Sequence, residues 1–290
     1  MQAIEKILRN HNLAYSTILN SDSGFTNKVY ITDQYVVKVI KDRKRYDKEC
    51  WFYENVSNNF TAPMIVNNSD EEPYIIFERI NGISLYKIWH TMDDHERELI
   101  ISRIAEIVRS IHHIDATAYN QVFHEDTNWI KSLYSSITET ALAARDILSS
   151  EICENINQFL SDHINCMKDV PFAVNYTDLH FDNIFIDRAN KLYLIDFETI
   201  EYAPIDYTLD IWIRMSKYPY LYANEADEKK VRPEDYQNIV ELLAKYYPEL
   251  FKIKGHSNRM KLYALEYDLS LLKEYPNNMD LQKRIIDNIS

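Results

Sequence analysis

The chain has 290 residues, 46% of them hydrophobic, which is enough for a sizeable core in one large or two ordinary domains. Three widely spaced cysteines, Cys50, Cys153 and Cys166, form no C-x-x-C pair, so they suggest neither a disulfide framework nor a zinc site and fit a reducing cytoplasm. The net charge of −13 lies almost wholly in residues 81–290, where 22 Lys and Arg stand against 34 Asp and Glu; it argues against a nucleic-acid partner and favours small cationic ligands.

The first residues mix charges into a short helix over 3–10, and no apolar run reaches the roughly 18 residues of a membrane span, so a non-exported protein with no membrane partner is expected. Tyr15 to Leu19, Lys28 to Thr32 and Tyr35 to Ile40 then read as a meander of strands. Between the first two lies Ser21-Asp22-Ser23-Gly24-Phe25-Thr26-Asn27, whose small and polar residues suit a loop that folds backbone N–H groups over phosphates. With one glycine it reads, taken by itself, first as a plain hairpin loop. Alternation in the third strand puts Lys38 on the same face as Val36 and Ile40, where an ammonium is poorly solvated unless it meets an anion. A helix over Asp47–Asn55 offers Glu49 and Glu54 as such anions, and Pro73 to Phe77 form another strand that runs into Glu78-Arg79-Ile80-Asn81-Gly82.

From Asp93 the texture turns helical. His95 to Ile114 places Leu99, Ile100, Ile104, Ile107, Val108 and Ile111 on one face, a core stripe. His112 and His113, adjacent on that helix, point in different directions, so a metal pair is not expected and His112 reads as a buried hydrogen-bonding residue. Helices around 127–149 and 151–168 follow.

The chemistry concentrates in Ala173 to Phe197. Ile184-Phe185-Ile186-Asp187 and Leu192-Tyr193-Leu194-Ile195 read as two short strands around the polar turn Arg188-Ala189-Asn190-Lys191. If Asp187 lies opposite Leu192, Asn183 falls opposite Asp196, and Cβ atoms roughly 4.5–5.5 Å apart let an amide and a carboxylate share one small cation such as Mg²⁺. Asp178, five residues before Asn183, supplies a third oxygen group or a general base. This set is what phosphoryl transfer needs.

The D-x-x-x-x-N spacing followed by Ile195-Asp196-Phe197 resembles the catalytic and metal-binding loops of protein-kinase-like phosphotransferases. Asp178-Leu179-His180 is similar to the aminoglycoside phosphotransferase branch, with Tyr176 and Thr177 standing where that branch commonly has His and Gly. Ile195-Asp196-Phe197-Glu198 is also similar to choline and ethanolamine kinases. The resemblance implies an α+β, bilobal kinase-like fold: a β-rich nucleotide-binding N-lobe over residues 1–80, a hinge near 78–82, and a mainly helical C-lobe over 81–290. It implies that Ser23, Gly24, Thr26 and Asn27 cover the nucleotide, that Lys38 holds the α- and β-phosphates and pairs with Glu49, and that backbone groups of Glu78 and Ile80 bind the base. Asp178 becomes the catalytic base, and Asn183 and Asp196 the Mg²⁺ ligands.

Beyond Asp196, Asp206 and Asp210 are one helical turn apart, a spacing that allows them to face together. The resemblance gives Asp210 the structural role of fixing the catalytic loop. Helices near 207–217, 233–247, 257–274 and 279–288 complete the chain, with Glu198, Glu266 and Asp268, beside Tyr263 and Tyr267, as candidates for a cationic acceptor. The expected activity is transfer of the γ-phosphoryl of ATP or GTP to a hydroxyl of a small cationic molecule. An aminoglycoside is the first candidate, as in antibiotic resistance, and choline or ethanolamine the second. A nucleotide-binding pseudokinase is the rival from another class.

Overall fold

A computed structural model describes residues 2–21, 27–55, 61–125, 129–222 and 228–290. After helix α1 (Gln2–Asn10), strands β1 (Ile18–Ser21), β2 (Lys28–Thr32) and β3 (Tyr35–Val39) form the expected meander. The first strand begins three residues later than its β-branched composition suggests, because the Asp33 carboxylate accepts from the Ser16 N–H at 2.9 Å and holds that approach outside the ladder. Helix α2 (Arg43–Asn55) begins four residues earlier than expected: Asp42 accepts from the Arg45 N–H at 3.0 Å and starts it, a cap that was there to be read. Strands β4 (Ile65–Ser69) and β5 (Tyr74–Glu78) complete an antiparallel sheet in the order β1-β2-β3-β5-β4. The polar Asn-Asn-Ser end of β4 conceals it in the sequence, since an edge strand does not need two apolar faces.

Alternation sorts this sheet as the sequence implies. Val37, Tyr74 and Ile76 pack with Ile4, Ile7 and Leu8 of α1, while Ile40, Ile75 and Phe77 pack with Tyr46 of α2. Lys38 therefore faces α2. That helix is docked in turn by Lys48, whose Nζ donates to the Ile200 carbonyl and to Glu125 Oε1, both at 2.6 Å.

The rest is mainly helical. Strand β6 (Gly82–Ser84) and helices α3 (Leu85–Ile88), α4 (Asp94–His112), α5 (Ala116–Phe123), α6 (Trp129–Ala143), α7 (Arg145–Leu148) and α8 (Ser150–His163) precede β7 (Phe172–Tyr176), β8 (Ile184–Asp187), β9 (Leu192–Leu194) and β10 (Ile200–Pro204). Helices α9 (Leu209–Lys217), α10 (Ile239–Tyr246), α11 (His256–Glu274) and α12 (Met279–Ile289) follow. One apolar cluster unites α3, α4, β7 to β10, α9 and α10, and a second unites α6, α8, α11 and α12. The helix expected over 127–149 is divided near Ala144, and Ser149, at φ 71°, turns the chain into α8. Pairing of β7 with β10 was not anticipated; it joins the strand leading into Asp178 to the segment after Asp196. A Cβ on Gly82 would lie 2.8 Å from the Ile186 carbonyl oxygen, so the β6–β8 approach requires glycine.

Helix α4 starts from an Asp93–Glu96 capping box. Its buried stripe is Ile100, Ile101, Ile104, Ile107, Val108 and Ile111, whereas Leu99, expected on that stripe, is 54% exposed and Ile101 takes its place in the core. His112 does bridge buried structure. Asn175 spends its Nδ2 on the carbonyls of Ala173 (2.9 Å) and Ala203 (3.1 Å), so its Oδ1 must accept from His112 Nε2 (3.2 Å), and His112 Nδ1 accepts from the Tyr247 hydroxyl at 3.2 Å. Burial pulls the imidazole pKa down from 6.5 to about 4. Because the unfolded chain takes a proton at higher pH than the folded one, this histidine contributes full stability above about 6.5 and loses it as pH falls towards 4. The urea midpoint of His112→Gln should therefore fall less steeply than that of the wild type between those pH values. Parallel profiles would remove His112 as the source.

Candidate active site

The loop from Asp178 to Asn183 is tied to itself before it is tied to anything else. The His180 N–H donates to the Asp178 carbonyl at 2.9 Å, and Asn183 Nδ2 donates to that carbonyl at 2.9 Å and to Asp178 Oδ2 at 3.4 Å. His180 Nδ1 accepts from the Asp182 N–H at 3.2 Å, so in the neutral ring the proton sits on Nε2, which lies 3.7 Å from Asp178 Oδ1. Burial pushes the Asp178 carboxyl upward, and His180 pulls it back. Its side chain is nonetheless 41% exposed.

The hairpin register differs from expectation by one residue. Ile186 pairs with Leu192 and Ile184 with Leu194, so Asn183 stands opposite Ile195, whose N–H donates to the Asn183 carbonyl at 3.1 Å. Asp187 is the reason: its Oδ1 accepts from the N–H groups of Ala189 (2.8 Å) and Lys191 (2.9 Å), and Asn190 adopts φ 60°, which shortens the loop. Asp196 lies one residue past the paired position in a left-handed conformation, φ 67°, and its carboxylate goes to Lys38.

Lys38 is 6% exposed and is the hub of the site. Its Nζ lies 2.5 Å from Glu49 Oε2, 2.7 Å from Asp196 Oδ1 and 3.0 Å from Glu198 Oε2. Burial would lower the lysine pKa, but the three carboxylates overcome it and raise it, so the ammonium is charged. Glu49, fully buried, is pushed upward by desolvation and pulled down by Lys38. Glu198, 3% exposed, also holds Arg45 Nη1 at 3.0 Å and the side-chain amide of Asn27. Arg45, not anticipated, sits four residues before Glu49, a helical spacing that signals a shared face.

Tyr176 occupies the position where the resembled branch has His. Its hydroxyl donates to the Ile195 carbonyl, next to Asp196, and its ring packs 5.2 Å from Phe197, which stacks on Phe52 of α2 at 4.3 Å. Thr177 Oγ1 donates to the Thr199 carbonyl at 2.8 Å. Tyr176→Phe keeps the stack and removes one bond, so it should cost about 0.5–1.5 kcal/mol in urea denaturation. No loss of stability would mean the hydroxyl does not hold that carbonyl.

Other expected groups are placed differently. Ser23, Gly24 and Thr26 lie outside the described residues. The Glu78 N–H is taken by the Met64 carbonyl at 2.9 Å, because β4 approaches there, so it is not free for a base; Ile80 follows just beyond the sheet. Glu198 stands with Lys38, not with Glu266 and Asp268. Glu266 accepts from Ser136 at 2.8 Å, and Asp268 is paired with Arg284 of α12. Asp206 and Asp210 do not face together: Asp210 takes Arg214 at 2.9 Å, while Asp206 takes Arg259 at 2.6 Å and Tyr263 at 3.0 Å. One face of the Tyr267 ring is covered by the Arg214 guanidinium at 3.5 Å.

Around the Lys38 ammonium, Glu49, Asp196 and Glu198 each offer a carboxylate oxygen within 4.8 Å of the others. This set fits a hard cation such as Mg²⁺.

Comparison with known proteins follows the same lines. The family model described as "Phosphotransferase enzyme family" matches residues 17–244. No curated protein sequence matches. Among solved structures, the streptomycin–ATP ternary complex of APH(2")-IIa has a TM-score of 0.72 at 15% identity, covering 99% of this chain and 95% of that one. ADP-bound aminoglycoside phosphotransferase APH(2'')-Ib gives 0.71 at 16%, covering 100% and 96%. The GDP complex of aminoglycoside 2'-phosphotransferase-IIIa gives 0.71 at 12%, covering 99% and 96%. The fold is kinase-like, and the chain belongs to the phosphotransferase enzyme family.

Proposed function

We propose that the protein transfers the γ-phosphoryl group of ATP or GTP to a hydroxyl of a small molecule. The observation that carries this reading is the meeting of Lys38, Glu49 and Asp196, residues up to 158 apart in sequence, at 2.5–2.7 Å, with Asp178 and Asn183 hydrogen-bonded on the neighbouring loop. Residues 1–80 bind the nucleotide, residues 81–290 supply catalysis and the acceptor site, and 78–82 form the hinge, with the Ile80 backbone and the remaining Glu78 carbonyl nearest the base. Asn27 reaches the site from the phosphate-covering loop.

Asp178 accepts the acceptor's hydroxyl proton while that oxygen forms a bond to the γ-phosphorus and the bond to the β–γ bridging oxygen breaks, releasing the nucleoside diphosphate. Lys38, fixed by Glu49, holds phosphate oxygens. Asn183 and Asp196, with Glu198 beside them, would hold Mg²⁺, which neutralises charge on the transferring group.

An aminoglycoside is the first acceptor class to test. Family membership and the excess of acidic residues over 81–290 support it, whereas Glu266 and Asp268 hold internal partners and do not discriminate among cations. Choline and ethanolamine are second, on the Ile195-Asp196-Phe197-Glu198 form alone. No helix among the described residues is long and apolar enough to cross a membrane, and the three cysteines are free, which supports a cytoplasmic site of action. A coupled ADP/GDP-release assay with Mg²⁺ should show release stimulated by one acceptor class among aminoglycosides, choline, ethanolamine and sugars. Nucleotide binding without stimulation by any acceptor would favour the pseudokinase.

A further inference from the structure

We propose that Glu198 is a specificity residue for the phosphoryl donor: it makes the site select the metal-chelated nucleotide over the free one. Given the nucleotide site proposed above, Lys38 must offer a donor to phosphate, yet two of the three N–H groups of its ammonium go to Glu49 and Asp196, at 2.5 and 2.7 Å, and the Glu198 carboxylate stands 3.0 Å from the same nitrogen as an ion pair. One carboxylate has to yield. Glu49 is fully buried and its Oε1 has no hydrogen-bond partner, so withdrawing Lys38 would strand a buried charge. The Asp196 side chain is 34% exposed and is the group best able to leave Lys38 for a cation. A phosphate that arrives without a metal offers Asp196 no such exchange, so it meets three carboxylates facing two cations, Lys38 and Arg45.

Glu198 supplies the third of these charges. With Glu49 and Asp196 alone, two carboxylates would balance Lys38 and Arg45 whether or not a metal were present. Glu198 is held by Arg45 at 3.0 Å and by Asn27 as well as by Lys38, so it keeps its place in the absence of ligand. The Asn27 contact also ties the phosphate-covering loop to the same carboxylate.

The test is calorimetric titration of ADP into wild type, Glu198→Gln and Glu198→Ala, each in EDTA and in Mg²⁺. In EDTA, removing one negative charge within a few ångströms of the phosphates should tighten ADP binding by about tenfold or more in the Ala variant, with Gln between it and wild type. The gain in affinity from Mg²⁺ should be largest in the wild type. Gln preserves the shape of the side chain and, with one oxygen left to accept, one of its two contacts with Arg45 and Asn27, so it decides the matter if the Ala variant does not fold. Equal or weaker metal-free ADP binding in a folded variant, beside normal Mg²⁺-dependent binding in the wild type, would overturn the role of Glu198 alone. Failure of wild type to bind ADP under either condition would overturn the nucleotide-site reading and this inference with it.

Discussion

Asp178→Ala is expected to lower kcat by about 10²–10⁴-fold, the usual scale for removing a general base, while leaving Mg²⁺-dependent nucleotide affinity within a few-fold of wild type. The separation follows from the geometry. Lys38, Glu49 and Asp196 form their own ionic cluster, whereas Asp178 is organised by His180 and Asn183 on the loop between β7 and β8. Its carboxyl is pushed upward by burial, with Asp196 and Glu198 adding to the rise and His180 and Arg214 opposing it. Turnover should therefore fall on acidification as Asp178 takes up a proton, with an acid limb above the range of a free aspartate. His180→Ala, which removes an opposing group, should move that limb to higher pH. A kinetic assay of wild type and both variants from pH 4 to 8 checks this. Retained turnover in Asp178→Ala removes it from the mechanism, and an unmoved limb in His180→Ala removes the histidine's influence.

The part of the site that is local in the chain was legible, because spacing alone carries it. Asp178 and Asn183 lie on one loop, Asp196 follows one hairpin later, and Lys38 declares itself as a charge on an apolar strand face. The register was misjudged because the sequence shows a four-residue turn after Asp187, not that the Asp187 carboxylate folds back onto two of its N–H groups. The substitution of Tyr176 for the family's His was visible, but its consequence was not: a hydroxyl on a longer ring reaches the Ile195 carbonyl. Long-range charge pairing was the least legible feature. In a chain with 45 acidic residues, nothing local distinguishes Glu198, which belongs to Lys38, from Asp268, which belongs to Arg284. In the fold at large, long apolar helices announced themselves, whereas β4, α5 and the β7–β10 pair depend on partners distant in sequence.

The largest effect on stability is expected from Arg259→Ala. Arg259 and Asp206 are both fully buried, and the guanidinium places Nε at 2.8 Å and Nη2 at 2.6 Å from Asp206 Oδ2. Its Nη1 donates to the carbonyls of Cys166 and Lys254, at 3.0 and 2.7 Å, so one side chain joins three segments. Although burial opposes it, hydrogen bonds from His256 and Arg259 hold the Asp206 carboxyl below its usual range, so the acid is charged. Truncating the arginine strands that charge, at a cost of about 3–5 kcal/mol. The double variant Asp206→Asn, Arg259→Met removes the charge together with its partner and should be less destabilised than Arg259→Ala alone, because a neutral amide is cheaper to leave underbonded than a carboxylate. Since Asp206 lies between β10 and α9, and β10 pairs with the strand that leads into Asp178, the loss should also appear as faster hydrogen exchange in β7. Urea denaturation of the two variants separates the alternatives: if the double variant is no more stable than the single one, packing and not charge is what Arg259 contributes.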